Sequence, residues 1–156
     1  MRYEYHIGVD PGKAGGIAVL NHDGDVIELI SMPETPEDIR DFFRKYSSLS
    51  SVCIMEDVGY GLPGQSSKAT ATFARHNGHL DMAILCAEIP KHSPTPQKWM
   101  KGYSLGKSSS YTKTEWKNRL KAKAQQLFPK EKITLKTSDA LLIAYYGYLL
   151  DNKGEI

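Results

Sequence analysis

The sequence predicts a single α/β domain in which a mixed sheet carries helices on its faces. The pattern of apolar and turn residues gives the element order β-β-β-α-β-α-β-α-α, with three antiparallel strands first. A length of 156 residues suits one domain, and 40% hydrophobic with 24% charged residues is typical of a globular protein. We therefore expect one domain over residues 1–156.

Three short apolar runs near the N-terminus predict consecutive strands. They lie at residues 3–9, 15–20 and 26–31. The turns between them are Asp-Pro-Gly at residues 10–12 and His-Asp-Gly-Asp at residues 22–25. Because both turns are short, neighbouring strands should pair in antiparallel fashion.

A helix and a central strand are predicted next. Thr35 followed by Pro36 has the pattern of a helix N-cap with proline in the first turn. Residues 51–58 form an apolar run broken only by Glu56 and Asp57, which predicts a buried strand with a polar end. Side chains alternate along a strand, so Glu56 is the functional candidate and Asp57 is structural, although a one-residue shift would exchange them.

The following segment is predicted to be one long helix and a strand. An apolar stripe at residues 69–87 predicts a helix that starts near Ser66, with Gly78 interpreted as a point of close packing. Residues 89–95 predict a strand, and residues 96–100 a proline-flanked turn.

The C-terminal third is predicted to contain a loop and two helices. Residues 101–112 are polar and lack periodicity, which predicts a mobile loop. Apolar residues then recur every three to four positions between Trp116 and Leu127, and a last helix is expected at residues 138–150.

Charge and cysteine content restrict the class of protein only weakly. The net charge of +2 and pI near 8.4 are a slight indication of a nucleic-acid partner. Apolar runs are far shorter than the roughly 20 residues that span a bilayer, and no signal pattern opens the chain, so we expect a cytosolic protein. Cys53 and Cys86 lie in apolar patterns and are expected to be buried, rather than to form a disulfide or metal pair.

Three carboxylates interrupt apolar segments. Asp10 ends the first strand, Glu56 lies near the end of the fourth, and Asp139 opens the last helix. Buried carboxylates cost several kcal/mol to desolvate unless they are paired or bind a cation. Oxygen ligands without a His or Cys cluster suit Mg²⁺ or Mn²⁺, which can support phosphodiester hydrolysis. Asp10 could instead start a turn, and Asp139 could be a first-turn acid that the helix dipole favours.

Four segments, in chain order, resemble the motifs of RuvC-type Holliday junction resolvases. They are residues 7–12 (IGVDPG), 15–19 (GGIAV), 54–58 (IMEDV) and 138–144 (SDALLIA). The resemblance implies a ribonuclease-H-like fold, with a mixed five-stranded sheet in which three antiparallel strands precede parallel ones. It also implies a homodimer and paired symmetric nicks in four-way DNA junctions.

The resemblance further implies two-metal cleavage, with two Mg²⁺ ions, or Mn²⁺ as a substitute. Asp10, Glu56 and Asp139 would be the catalytic residues and metal ligands. Residues 94–101, which include Trp99, and residues 127–129 are more similar to phage and chloroplast resolvases than to the bacterial housekeeping enzyme, and suggest a phage source.

One position departs from the family pattern. The family commonly has a further acid or histidine one helical turn before the final aspartate, where this chain has Lys136. Either the site has three protein carboxylates, or the alignment of this turn is shifted. Glu131 is a remote substitute.

Four residues are candidates for DNA contact: Lys113, Lys117, Lys107 and Tyr60. Lys113, Lys117 and Lys121 form a stripe that either binds phosphates or is a solvated helix face. The resemblance favours Lys113, at the start of its helix, and Lys107 lies in the predicted loop. Tyr60 either stacks on a base near the branch point or is a rim tyrosine.

Other motifs are not interpreted as sites. His76 and His79 share a helix face but lack a third metal ligand. Residues 61–64 lack the ending of a phosphate-binding loop, and residues 106–108 lack its leading glycine and strand, so we expect no nucleotide cofactor.

Three alternative functions stay open from the sequence. The Asp-x-Gly hairpin at Asp10 also occurs in sugar kinases and actin-like ATPases, but that fold needs two such domains and an adenosine site. A junction-binding module that has lost catalysis through Lys136 is the non-enzymatic alternative. A nuclease with a broader choice of branched DNA is the third.

Overall fold

A computed structural model of the chain describes residues 2–61 and 63–156, which form one sheet between two groups of helices. The strands are β1 (Tyr5–Asp10), β2 (Gly16–Asn21), β3 (Val26–Ser31), β4 (Ser51–Met55) and β5 (Lys91–His92). The helices are α1 (Pro36–Arg44), α2 (Ser67–Cys86), α3 (Pro96–Met100), α4 (Lys113–Leu127) and α5 (Ser138–Asn152). Two 3₁₀ turns, Lys101–Tyr103 and Ser108–Ser110, lie between α3 and α4.

The sheet has the strand order β3-β2-β1-β4-β5. β2 pairs antiparallel with both β1 and β3, whereas β4 runs parallel to β1 and β5 runs parallel to β4. This confirms the predicted mixed sheet of three antiparallel strands followed by parallel ones. Parallel neighbours end at the same edge, so the C-terminal ends of β1 and β4 lie side by side.

Each face of the sheet has its own apolar core. Ile7 and Val9 of β1 pack with α1 and α2 on one face, while α3, α4 and α5 cover the other. Gly8 allows α5 to lie directly on β1, because a Cβ there would be 2.3 Å from the backbone O of Ala140 and from the backbone N of Ala144. The first turns of α5 are therefore held against the centre of the sheet.

A buried hydrogen bond joins β1 to the end of α5. The Nε2 atom of His6 lies 2.8 Å from Oδ2 of Asp151, and both side chains are buried. The Asp151 carboxylate also accepts hydrogen bonds from the backbone N–H groups of Arg2 and Tyr3, at 2.7 and 3.1 Å. This network links the N-terminal segment to the C-terminal helix, and the sequence pattern did not predict it.

The predicted helix starts are confirmed by their caps. The Thr35 side chain accepts a hydrogen bond from the N–H of Asp38, and Ser66 accepts one from the N–H of Ala69. Thr112 and Glu115 form a capping box at the start of α4, which satisfies two backbone N–H groups. None of the helices within the described ranges is long and apolar enough to cross a membrane.

Several predicted element boundaries are wrong, two of them beside prolines. The strand predicted at residues 51–58 ends at Met55, and the one predicted at residues 89–95 is reduced to Lys91–His92. Pro90 and Pro94 flank β5 and lack the N–H that a longer ladder would need. The turn predicted at residues 96–100 is helix α3, since proline is well suited to the first helical position.

Three further expectations are corrected. Cys53 is buried as predicted, but Cys86 is exposed, because it lies two residues after the buried Ile84 and therefore on the opposite side of α2. Gly78 does not mark close packing, since a Cβ there would meet no atom within 4 Å. The predicted loop at residues 101–112 contains two 3₁₀ turns and is anchored by the buried Tyr103, whose hydroxyl donates to the carbonyl of Leu142 at 2.5 Å.

Candidate active site

The three predicted carboxylates meet at one edge of the sheet. Asp10 is the last residue of β1, and Glu56 directly follows β4, with its N–H donating to the carbonyl of Val9 at 3.1 Å. Asp139 is in the first turn of α5, which packs on β1. Relative exposures of 9% for Asp10, 8% for Glu56 and 3% for Asp139 show that all three are buried. Residues from three distant segments of the chain thus share one site.

The carboxylates perturb one another. Burial raises the pKa of Asp10, and the facing carboxylates of Asp139 and Glu56 raise it further. Burial also raises the pKa of Glu56, with a smaller contribution from Asp139. Neither Asp10 nor Glu56 has a salt-bridge partner among the described residues. A bound divalent cation would oppose both shifts, because its charge favours the ionised carboxylates.

Trp99 positions Glu56. Its indole Nε1–H donates a hydrogen bond to Oε1 of Glu56 at 3.2 Å, and its side chain is fully buried. Trp99 lies on α3, which follows β5, the strand next to β4, so this helix lies near the edge where Glu56 leaves the sheet. Sequence reasoning gave Trp99 no role, although its place after a strand was a usable signal. Asp57 is exposed, so of the two adjacent acids only Glu56 is buried at this edge of the sheet.

Lys117 lies inside the carboxylate site. Its Nζ pairs with Oδ2 of Asp139, and its side chain is 38% exposed. Although burial lowers the pKa of Lys117, the carboxylates of Asp139, Asp10 and Glu56 raise it more, so the net pKa is above the usual value. The sequence pattern suggested a phosphate contact for Lys117. The structure instead pairs its ammonium with one of the acids.

The carboxylate donors are of the type that binds a hard divalent cation, but they are not arranged around one point. Carboxylate oxygens are the ligands that Mg²⁺ and Mn²⁺ prefer. Within residues 2–61 and 63–156, however, no three potential ligands are arranged closely enough to enclose an ion as they stand. Asp139 is engaged by Lys117 rather than shared with the other two acids. Metal binding would therefore begin with Asp10 and Glu56, whose carboxyl groups already lie within hydrogen-bonding reach of each other, and Asp139 would join only if Lys117 moves.

Neither of the two positions considered for a fourth ligand supplies one. Lys136 is exposed and forms no salt bridge with any described residue. Glu131 lies beside Asp23 and Gly24, in the turn after β2. Because β2 runs antiparallel to β1, that turn is at the opposite end of the sheet from Asp10. Glu131 therefore cannot substitute for the missing acid.

The predicted DNA-contact residues are at the surface. Lys107 and Lys113 are exposed at the two sides of the second 3₁₀ turn. Tyr60 is 56% exposed, and its ring centroid lies 5.9 Å from that of Phe73 on α2. The Phe73 ring in turn lies 3.5 Å from the position that a Cβ of Gly12 would occupy, and Gly12 is two residues after Asp10. Tyr60 is thus connected through one aromatic ring to the loop that follows the first carboxylate.

A cleft of about 390 Å³ opens beside this aromatic pair. Its lining includes Lys13, Lys68, Phe73 and His76. Sequence reasoning missed Lys13, Lys68 and Phe73 as surface residues near the site, because they belong to two separate segments that only the fold brings together.

The fold is that of RuvC and of ribonuclease-H-like proteins. The chain matches the structure of Thermus thermophilus RuvC with a TM-score of 0.64 and 16% identity, over 97% of both chains. It matches T. thermophilus RuvC in complex with a Holliday junction substrate with a TM-score of 0.66 and 15% identity, over 98% of both chains. No protein-family profile and no curated protein sequence matches. The predicted closeness to phage and chloroplast resolvases gains no support from these bacterial structures, whereas the RuvC-like fold is confirmed.

Proposed function

We propose that this protein is a Mg²⁺-dependent, structure-selective endonuclease that resolves four-way DNA junctions by paired symmetric nicks. The observation that carries the proposal is the meeting of Asp10, Glu56 and Asp139 at one sheet edge, buried and mutually repulsive. The RuvC-like fold supports it, since one of the matched RuvC structures is bound to a Holliday junction substrate.

The three acids would act as metal ligands and thereby as the catalytic residues. Bound divalent cations would activate a water molecule and stabilise the leaving oxygen of a phosphodiester. The chain's own contribution is to hold these oxygens on rigid elements: Asp10 on β1, Glu56 after β4 and Asp139 on α5. Trp99 restricts the rotamer of Glu56 through its hydrogen bond.

Surface residues around the site would bind the DNA. Lys107 and Lys113 are exposed cations that can contact phosphates without losing an intramolecular partner in the described part of the chain. Tyr60 presents a half-exposed ring that can stack on an unpaired base, and the Phe73 ring packs beside it.

Paired nicks require two copies of the chain, because the described residues of each chain form one three-carboxylate site. A junction has two-fold symmetry, so we propose a homodimer with two-fold symmetry. The exposed side of α2 is the surface we propose for it, since Met82 and Leu85 are 57% and 69% exposed and lie one helical turn apart.

Light scattering tests this part of the proposal. Leu85→Glu should convert the dimer to a monomer and turn paired nicks into single ones. Ile27→Glu, which also introduces a glutamate at an exposed apolar position, on β3, is the matched control. A dimer that survives Leu85→Glu would exclude this surface.

The nuclease assay uses a synthetic four-way junction and a linear duplex, each with and without Mg²⁺. We expect cutting of the junction alone, and only with Mg²⁺. Asp10→Asn and Glu56→Gln should abolish cutting but preserve junction binding. Asp57→Asn should leave cutting unchanged, because Asp57 is exposed beside Glu56 and outside the site. Equal cutting of both substrates, or of neither, would refute the proposal.

A junction-binding protein without catalysis is the second candidate. Two observations favour it: the ion pair of Lys117 with Asp139, and the exposed Lys136 one turn before Asp139. Such a protein would bind the junction tightly at every Mg²⁺ concentration and cut none of it.

A further inference from the structure

Lys117 differs from the other lysines of its helix. Lys113 and Lys121 lie one turn before and one turn after it, yet neither forms a salt bridge with a described residue. Lys117 alone of the three reaches the acids, because the buried Leu120 and Ala124 orient α4 against α5. A solvated helix face would not select one lysine in this way.

The pairing has a consequence for charge. When a cation is bound and the three carboxylates are ionised, they and the one ammonium have a net charge of about −2, which one divalent cation neutralises. Without Lys117 the net charge would be about −3, which favours a second cation. The ammonium also engages Oδ2 of Asp139, an oxygen that a metal ion would otherwise use.

Asp10 and Glu56 remain available. Neither has an ionic partner in the described part of the chain, and they end neighbouring parallel strands. Trp99 donates to one oxygen of Glu56, and the carboxyl of Asp10 lies within hydrogen-bonding reach of the Glu56 side chain, so the two acids are close enough to share one cation.

We propose that Lys117 acts as an internal cation of this site, so that each chain binds one divalent ion, through Asp10 and Glu56, while Asp139 is held by the ammonium. This inference rests on the proposed function and changes its two-ion expectation to one ion in the DNA-free protein. Lys117 is thereby a positioning residue for Asp139, and its removal opens a second ion position.

Counting bound Mn²⁺ tests the inference without any nuclease assay. The full chain, free of DNA, is titrated with Mn²⁺, and free Mn²⁺ is measured by electron paramagnetic resonance alongside calorimetry. We expect one ion per chain for the wild type and two for Lys117→Met. Lys117→Arg keeps the charge and should bind one, as should Lys113→Met, the control on the same helix.

Two results would overturn the inference: a wild-type chain that does not bind one ion, or a folded Lys117→Met chain that still binds one. Circular dichroism checks the fold, and Lys117→Gln replaces Lys117→Met if the latter is unfolded. If both variants are unfolded, the wild-type count decides.

The counts also separate this inference from the proposed function. A wild type that binds two ions and cuts junctions would refute the role of Lys117 but support the nuclease function. A wild type that binds one ion and cuts no DNA would support the role of Lys117 but refute the nuclease function.

Discussion

Replacing Gly8 by alanine should force α5 away from β1 and damage both the fold and the site. A Cβ at Gly8 would lie 2.3 Å from the backbone O of Ala140 and N of Ala144, whereas ordinary contact begins at 3.4 Å. The helix must therefore retreat by about 1 Å, since backbone atoms cannot rotate away as a flexible side chain could. We expect a loss of about 3 kcal/mol in the free energy of unfolding, at the upper end of the range for overpacking.

The same displacement should lower the rate of DNA cleavage. Asp139 directly precedes Ala140, so it moves with the first turn of α5. A shift of this size in a catalytic group costs roughly a hundredfold in rate. Urea unfolding followed by circular dichroism measures the stability, and a loss of about 3 kcal/mol corresponds to a drop of roughly 6 to 12 °C in melting temperature. Junction cleavage is then measured well below the melting temperature.

Gly78→Ala is the matched control for this prediction. It is the same chemical change in α2, but its Cβ would meet no atom within 4 Å. Alanine in a helix interior is more favourable than glycine by about 1 kcal/mol, so this variant should be more stable than the wild type and equally active. If Gly8→Ala were as stable and as active as the wild type, the close approach of α5 to β1 would be refuted.

Three other predictions follow from particular contacts. Trp99→Phe removes the hydrogen bond to Glu56 and should lower the cleavage rate by roughly tenfold to a hundredfold; an unchanged rate would show that Glu56 needs no such restraint. The free energy of unfolding should fall as the pH drops below 6.5, the ordinary pKa of histidine. Burial lowers the pKa of His6 in the fold, so below pH 6.5 the unfolded chain takes up a proton more readily than the folded one. The Nδ1 atom of His6 would carry the added proton, but it has no hydrogen-bond partner among the described residues. The other ring nitrogen is bonded to Asp151, whose pKa is lowered by its backbone and His6 hydrogen bonds. Urea unfolding at several pH values checks this, and His6→Gln should flatten the dependence of the free energy of unfolding on pH. Lys113→Met should weaken junction binding and reduce the salt dependence of log Kd by about one, measured by fluorescence anisotropy, whereas an unchanged slope would remove Lys113 from the DNA surface.

Local patterns were sufficient for most of the elements. The turn at residues 10–12 and the cap at Thr35 depend on residues adjacent in the chain, and both were predicted correctly. Interruptions of apolar runs also identified Asp10, Glu56 and Asp139 as unusual acids. The sequence alone shows these signals, because both backbone conformation and burial produce patterns among residues that are close together in the chain.

Contacts between distant segments depended on the fold. No local pattern distinguishes Lys117 from Lys113 on α4, because both lie on the same stripe, and only the packing of α4 against α5 places one of them on Asp139. The bond from Trp99 to Glu56 likewise depends on the placement of β5 beside β4. The sequence by itself determined which acids would be buried, since that follows from the apolar residues around each. The tertiary structure decided which cation meets them, because a long flexible side chain reaches its partner only where two helices fix the distance.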